Sequence, residues 1–561
     1  MAIFPLHRTY RHFRRYQQIV RVLARYGFGD LLETIRLEYY LRFRRKLSTE
    51  SRKLPVEGIS RPQRIRLAFE ELGPTFIKFG QLLSTRPDVI PIEYAREFAH
   101  LLDDVPGFPG EEAILMVEKE LGGPIEAYFR SFDPQPISAA SIAQVHRAVT
   151  RDGQEVVVKI QRPNIRQVIE EDILILYDLA HLVEKYTADG MLYNPVGIVE
   201  EFSRTIRGEL DFIREAHNID RFRRNFSHDP TVYIPGVCWE LTTSHLVTME
   251  YIPGTPLTQF DYTSLPEEER KELAIRGARA TLKEIFEHGF FHADPHPGNI
   301  LILPGLVIAP VDFGMVGTLD DETKDALAVL LRGVVQKDID DLMRAFYDLG
   351  YVDFDLDTRA FRRDVYEFID RYHGLALHEL RLPQILSELF EIVRRHRIRL
   401  PVELSMMGKA LMQQNAIGQK LYPEFDILGE ARPYVRRLIM KRMRPQQQFR
   451  DFLRLYEDSV SFLKVLPMEL RSILQRLKRG DATVRMRHEG LDHFIQELDR
   501  SSNRLAFSLI IAALIIGSSI IMLIDKGPFL GGFSILGITG YVIAGLLGLW
   551  LVIAILRSGK L

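Results

Sequence analysis

Toward the end of the chain the alternation of apolar and polar positions stops. Leu505–Ile524 (LAFSLIIAALIIGSSIIMLI) and Ile535–Leu556 carry no charged residue. At about 1.5 Å of rise per residue, each run spans the ~30 Å hydrocarbon layer of a bilayer. The Gly- and Pro-containing stretch Asp525–Phe533 turns the chain between them, so the pattern predicts a helical hairpin whose flanks share one side. Ala544 and Gly548, with Gly540 one turn earlier, offer a small-residue face for close packing, within the hairpin or against a partner helix. At the other end, residues 12–48 show helical spacing with a basic face and interleaved Tyr, Phe, Leu and Ile, which suits a helix lying at a membrane interface. Residues 62–86 and 89–121 predict further helices, the second ended by Gly122-Gly123-Pro124. From Ser131 the period shortens to two. PISAASIAQVHRAVTRDGQEVVVKIQRP reads as two β-rich runs joined at Arg151-Asp152-Gly153, a hairpin signal. Helical spacing returns over 164–187 and 195–226, and strand-like segments follow at 232–240 and 245–251. From Glu267 onward the pattern is mostly helical. One stretch interrupts it, FFHADPHPGNILILPGLVIAPVDFG (Phe290–Gly314), in which Ile300–Leu303 and Leu306–Val311 read as short strands. A small β-rich lobe followed by a helical lobe is the order of a bilobal kinase.

Composition adds bounds. A chain of 561 residues exceeds one ordinary domain, and 46% apolar with 26% charged residues is a globular composition with a large core. The net charge of −2 hides an uneven distribution: residues 1–50 carry eleven Arg and Lys against four acids, and residues 431–480 carry thirteen against four. Such runs either bind an anionic surface or form solvated helix faces. No recognised nucleic-acid-binding module accompanies them, which disfavours nucleic acid as the partner. The single cysteine, Cys238, excludes a disulfide framework and any multi-thiolate metal site, and points to a reducing compartment. The opening MAIFPLHRTYRHFRRY has no apolar core of the signal-peptide kind. Arg504 before the hairpin, with Arg557 and Lys560 after it, predicts that the flanks and the bulk of the chain face the cytoplasm.

Phe290–Gly314 holds two His, two Asp and an Asn. His292, Asp294 and His296 alternate and on a strand would share a face for a divalent ion, but Pro295 and Pro297 forbid regular ladder pairing, so a loop is expected. Phosphoryl transfer uses more of these residues. It needs a carboxylate to orient the nucleophile, an Asn oxygen for magnesium, and a second carboxylate bridging metal and phosphates. Asp294, Asn299 five residues later and Asp312 in Asp312-Phe313-Gly314 meet those needs in order, and the hairpin between them would bring Asn299 and Asp312 together. Upstream, VVVKIQ sets Lys159 on a strand after a hairpin, where a kinase keeps the lysine for the α- and β-phosphates. GELDFIREAHNIDRF supplies Glu209, Asp211 and Glu215, of which the last two, four apart on a helix, would share a face. LVTMEYIPG (Leu246–Gly254) resembles a hinge whose backbone near Glu250–Ile252 would hold adenine.

With these residues the chain closely resembles the UbiB family of atypical protein-kinase-like proteins, also called the ADCK group, over roughly residues 60–430, and its terminal hairpin resembles that of bacterial members. Lys78-Phe79-Gly80-Gln81 matches the family's KxGQ motif. Ser138-Ala139-Ala140-Ser141 matches its alanine-rich nucleotide loop, with Ser138 where many members have Ala, and Val145 follows on the next strand. Glu209-Leu210-Asp211 matches its ExD motif, and Lys159, Glu215, Asp294, Asn299 and Asp312 fall on the shared kinase positions. Where ordinary kinases use glycines that reach positive φ without strain, this loop keeps small side chains but loses that freedom. No Ala-Pro-Glu segment follows Gly314, so a peptide-substrate platform is not evident.

The resemblance implies an α+β, bilobal protein-kinase-like fold with an N-terminal helical KxGQ extension and a C-terminal two-helix transmembrane hairpin. The expected boundaries are 1–58 for a basic amphipathic segment, 59–130 for the KxGQ extension, 131–254 for the N-lobe, 255–430 for the C-lobe, 431–503 for a basic juxtamembrane region and 504–557 for the hairpin. It implies ATP or ADP with Mg2+ as ligands, and a KxGQ segment that folds over the site and meets the ExD motif; Lys78 against Glu209 or Asp211 would suit that as a charge-assisted pair. The expected activity is that of an ATPase or atypical kinase at the inner membrane, with protein-kinase activity doubtful, supporting isoprenoid-quinone (ubiquinone) biosynthesis. Phospholipid, prenyl-lipid quinone precursors and other quinone-biosynthesis proteins are its expected partners. A small-molecule or lipid kinase and a nucleotide-binding pseudokinase scaffold remain alternatives. His292 and His296 are expected to support the loop.

Overall fold

The computed structural model describes residues 6–29, 58–101, 105–186, 194–350, 356–372, 381–442, 491–522, 529–530 and 533–557. The chain divides into two units, 1–451 and 452–561, each taken by itself.

Four antiparallel strands in the order β1 (Phe129–Ala139), β2 (Ala143–Thr150), β3 (Glu155–Gln161) and β4 (Leu246–Glu250) form the N-lobe sheet. The turn between β2 and β3 is the expected one, with Gly153 in the left-handed region at φ 84°. Alternation along β3 decides which side chains reach the cleft. Val156, Val158 and Ile160 are buried on one face, beneath Ala113 and Val117 of the helix Gly110–Leu121. Lys159 therefore points to the other face, opposite Val145 on β2 and Val247 on β4. The helices Pro195–Glu209 and Phe212–Asn225 pack against that second face.

Below the sheet, the helix Glu267–Leu282 continues through one π-helical turn, Lys283–His288. β6 (Phe290–His292) pairs with β9 (Val316–Thr318), and β7 (Ile300–Leu303) with β8 (Val307–Pro310), while β5 (Thr255–Pro256) flanks β7. Among the described residues, six helices between Asp321 and Arg442 complete the lobe, with Val402–Leu421 running through its core. Phe222, Phe290 and Phe313 join the lobes, with ring centroids 4.8 and 5.2 Å from Phe222. Aromatic pairs of this kind contribute about 0.5–1.5 kcal/mol each beyond burial.

Several elements depart from the sequence reading. Residues 62–86 form two helices because Gly73, at φ 95°, and Pro74 break the run. Residues 89–121 likewise split into Ile92–Phe98 and Gly110–Leu121, separated by the proline-containing stretch ending at Pro109. The helix expected over 195–226 breaks at Leu210, and Asp211 caps the second half by accepting from the Ile213 N–H at 3.2 Å. Asp211 and Glu215 thus do not share a helix face. The segment 232–240 makes only isolated bridges and a 3₁₀ turn.

The largest correction concerns the basic N-terminal segment. Leu6–Arg25 is helical, but Ile19, Val20 and Val22 are buried against the body, and Arg15 donates to the buried Asp172 through Nε and Nη2 at 2.7 and 2.8 Å. Its apolar face is spent on internal packing, not offered to a bilayer. The rest of that expected interface helix, from residue 30, lies outside the described residues, as does most of the basic region 431–503. Of the latter's described residues, those through Arg442 dock on the C-lobe, with Arg437 paired to Glu287 at 2.7 Å.

In the second unit, the helices Leu491–Met522 and Ile535–Arg557 contain stretches long and apolar enough to cross a membrane. They pack at Ser518, Gly540 and Ala544. A Cβ on Gly540 would fall 2.0 Å from Ser518 Oγ, and Ser519 Oγ lies 2.6 Å from the Tyr541 hydroxyl. Gly548, expected on the same packing face, has open space around it.

Candidate active site

The β7–β8 hairpin turns through Gly305 and Leu306, both at positive φ, and sets Ile300 opposite Pro310. Asn299 and Asp312 are consequently neighbours: Asn299 Nδ2 donates to Asp312 Oδ2 at 3.3 Å. Lys159 arrives from the roof. Its Nζ donates to Glu215 Oε1 at 2.5 Å and to Asp312 Oδ1 at 3.1 Å. Four of the expected residues, 153 positions apart at the extremes, thus meet at one point. Phe313 is fully buried, its N–H 3.5 Å from Glu215 Oε1, so the Asp-Phe-Gly turn and the helix bearing Glu215 are in direct contact.

The electrostatics follow from this geometry. Burial alone would raise the Asp312 carboxyl, but Lys159 outweighs it, with Lys78 adding to the effect, and the group is held well below the usual carboxylate range. Burial likewise works against the Lys159 ammonium, and Asp312 and Glu215 overcome it, so the amine stays above its ordinary range. Burial pushes the Glu215 carboxyl up, against the attraction of Lys159. Glu215 is 3% exposed, whereas Asp312 is 41% exposed. The anion that opens to the cleft is thus the one kept ionised.

His292 organises the loop, as expected. Its Nε2 bonds the Asp312 carbonyl at 2.5 Å and its Nδ1 accepts from the Asp294 N–H at 3.1 Å, which fixes both aspartates and the tautomer. His296 Nδ1 accepts from the Gly298 N–H and caps the short turn to Asn299. Glu284, on the π-helical turn, accepts the His292 N–H at 2.9 Å, and burial pushes its carboxyl up to about 8. Folded chains therefore bind more protons than unfolded ones between about pH 4 and 8, so this group's contribution is present at low pH and is lost as pH rises. Glu284→Gln keeps the acceptor and removes the titration. Its melting temperature relative to the parent should climb from pH 5 to 9; a constant offset would contradict this account.

The Ser138–Ser141 loop is strapped from outside. Ala140 N–H donates to Ala143 O at 2.7 Å, and Arg162 bonds both the Ala140 carbonyl at 2.8 Å and the Pro106 carbonyl at 2.8 Å. Gln144 accepts from the Phe108 N–H at 2.9 Å and is held in turn by His146, which burial keeps below its ordinary range. Ser138 is exposed, Ala139 and Ala140 are half-buried, and Val145 lies opposite Lys159. Ser141 is fully buried, with no hydrogen-bond partner for its Oγ, so it belongs to the support of the loop more than to its surface. At the hinge, Ile252 is buried, and the Glu250 carboxylate turns away to accept from the Tyr233 hydroxyl at 2.6 Å.

Lys78 meets Glu209 at 3.1 Å, with both side chains about nine-tenths buried. Lys78, Gln81 and Leu82 pack against Phe202, Ile206, Glu209 and Met315 with no space for a water molecule. Gln81 Nε2 donates to the Leu101 carbonyl at 3.1 Å. A Cβ on Gly80 would fall 2.2 Å from Leu101 Cδ1, so glycine is required by contact here. Of the two ExD acids, Glu209 takes the lysine and Asp211 caps its helix. The extension is held further by Arg86, which pairs with Asp88 at 2.8 Å and with Glu201, while Ser405 of the C-lobe donates to Asp88 at 3.2 Å.

Arg162, Gln144, Glu284, Arg86 and Asp88 escaped the sequence reading, although QVH and TRPD stand directly beside motifs that were read. Asp294 brings a further surprise: its partner is Lys409, at 3.3 Å, from the helix Val402–Leu421. Nothing in the spacing of that helix signals such a contact.

An oxygen donor set of one carboxylate and one amide suits Mg2+, which keeps water and phosphate oxygens as its other ligands. Among the described residues no cluster of three or more His, Cys, Asp or Glu has metal-binding geometry.

Comparisons with known proteins agree with the geometry. Residues 100–346 match the ABC1 atypical kinase-like domain, 365–426 the UbiB helical domain, and 489–557 the ABC1/UbiB kinase-like C-terminal domain. The chain is 36% identical to a Pseudomonas paraeruginosa protein named "Probable protein kinase UbiB", over 84% of this chain and 89% of that one. It is 33% identical to an uncharacterized Clostridium pasteurianum protein from the hydrogenase 1 5' region, over 98% and 99% of the two chains. An uncharacterized Synechocystis protein is 35% identical over 82% of this chain and 79% of its own. The chain belongs to the UbiB family of ABC1-type atypical kinase-like proteins.

Proposed function

We propose that this protein is a membrane-anchored, Mg-ATP-dependent ATPase or atypical kinase that supports isoprenoid-quinone biosynthesis, ubiquinone being the quinone that family membership implies, by aiding access to lipid precursors in the membrane. The observation that carries the ATP chemistry is the convergence of Lys159, Glu215, Asn299 and Asp312. Lys159 is the ligand for the α- and β-phosphates. Asn299 and Asp312 would hold Mg2+, which when bound neutralises the phosphate oxygens. Asp294 orients the nucleophile and takes its proton. With water as nucleophile, its oxygen bonds the γ-phosphorus, the β–γ bridging bond breaks, and ADP and phosphate leave.

A peptide acceptor fits poorly, since Lys78, Gln81 and Leu82 of the extension lie directly on the helix Pro195–Glu209 and Met315. The two apolar C-terminal helices support a membrane anchor, and the positive flanks support a cytoplasmic-membrane location with the kinase-like body inside the cell. The test is ATP hydrolysis by the full chain in detergent, with and without liposomes containing anionic phospholipid. Turnover should rise with liposomes, and a chain truncated before residue 504 should lose the rise. Equal rates in both conditions would remove the coupling to lipid. Labelled product in a lipid extract would turn the reading toward a lipid kinase.

A further inference from the structure

We propose that Lys409 is a phosphate-binding residue of this site, contacting the terminal phosphate of a nucleoside triphosphate and so distinguishing it from a diphosphate. The inference rests on the nucleotide reading above and adds a residue from outside the kinase motifs.

Its backbone is fixed. On either side, Met406 and Ala410 are buried, Gly408 faces Phe390 so closely that a Cβ would lie 3.1 Å from the ring, and Ser405 is buried against Asp88. Only the aliphatic stem of Lys409 crosses the gap, and its Nζ stops 3.3 Å from Asp294 Oδ1. Both side chains keep contact with solvent, at 18% and 31% exposure, so the pair is not sealed in the core.

The loop around Asp294 cannot supply this charge itself. Phe291–Asn299 contains no lysine or arginine, and its two histidines are engaged with the Asp312 carbonyl and the Gly298 N–H. The two other lysines described at the site sit elsewhere: Lys159 reaches Glu215 and Asp312, where the inner phosphates are proposed to lie, and Lys78 pairs with Glu209. A triphosphate whose inner phosphates meet Lys159 extends its terminal group toward Asp294, and two carboxylates facing one polyanion repel it. A cation at 3.3 Å from Asp294 offsets that repulsion where the terminal phosphate arrives. A diphosphate ends short of this point. Lys409 should therefore strengthen triphosphate binding and leave diphosphate binding nearly untouched.

The test titrates the full chain in detergent with Mg-AMP-PNP and with Mg-ADP. Lys409→Met retains the stem and its packing but loses the charge, and Lys409→Arg restores the charge. The expected result is a roughly tenfold or greater rise in Kd for AMP-PNP in K409M, with ADP unchanged within about twofold, and recovery of most of the AMP-PNP affinity in K409R. Equal weakening of both nucleotides, accompanied by a lower melting temperature, would assign Lys409 a structural role and overturn the proposal. So would unchanged affinity for both. Failure of the parent chain to bind either nucleotide would overturn the nucleotide reading along with it, an outcome separate from those of the variants.

Discussion

Asp312→Asn is expected to lower ATP turnover by roughly 10²–10³-fold or more, the scale seen when one preorganised electrostatic group is removed from an active site. The substitution is nearly isosteric. It deletes the one carboxylate that is both open to the cleft and held ionised by Lys159, and with it the charged ligand proposed for Mg2+. The fold should survive, because Lys159 keeps Glu215 as a partner and the His292 bond to the Asp312 carbonyl is a backbone contact. The check is turnover measured beside a thermal melt. Parental turnover in D312N would refute the site; lost turnover with an unfolded chain would leave the question to Asn299→Ala, which should also raise the Mg2+ concentration needed for half-maximal rate.

Removing Lys159 should have the largest effect on stability. Its ammonium is the cation between two carboxylates, one of them 3% exposed. Stripping one partner from a buried ion pair costs about 3–5 kcal/mol, because the charge left behind has neither water nor a counterion. Lys159→Ala leaves Glu215 and Asp312 facing each other, so it should destabilise by that amount and also abolish nucleotide binding. The double variant Lys159→Ala, Glu215→Ala removes the stranded acid as well. It should be less destabilised than the sum of the two single variants, which denaturation of the three proteins would measure. Strict additivity would mean that the two side chains do not interact as described.

How far the chain could be read in advance depended on the range of each interaction. Asn299 and Asp312 meet because a short hairpin joins them, and that hairpin is written in two apolar runs around Pro304-Gly305. Lys159 was legible because a period of two puts it opposite Val156, Val158 and Ile160. Helix ends were less so. Gly73-Pro74 and the prolines at 106 and 109 signal breaks that the surrounding helical periodicity masks, and the spacing of Asp211 from Glu215 suggests a helix-face acid where its side chain caps the helix instead. The basic N-terminal helix shows the limit of composition. An amphipathic face looks the same whether it meets lipid or protein, and here Ile19 and Val22 face protein. Lys409 lies furthest from legibility, since a lone lysine on a core helix carries no periodic or motif signal and acquires meaning only when the fold sets it beside Asp294.

Lys159, Asn299 and Asp312 are proposed to hold a nucleotide's phosphates and their cation together. A crystal structure of the chain with AMP-PNP and Mn2+, located by its anomalous signal, tests this directly. The metal peak should lie about 2.1 Å from oxygens of Asp312 and Asn299, with the Lys159 ammonium in hydrogen-bond contact with an inner phosphate. A nucleotide bound elsewhere, or a metal out of reach of both side chains, would contradict it.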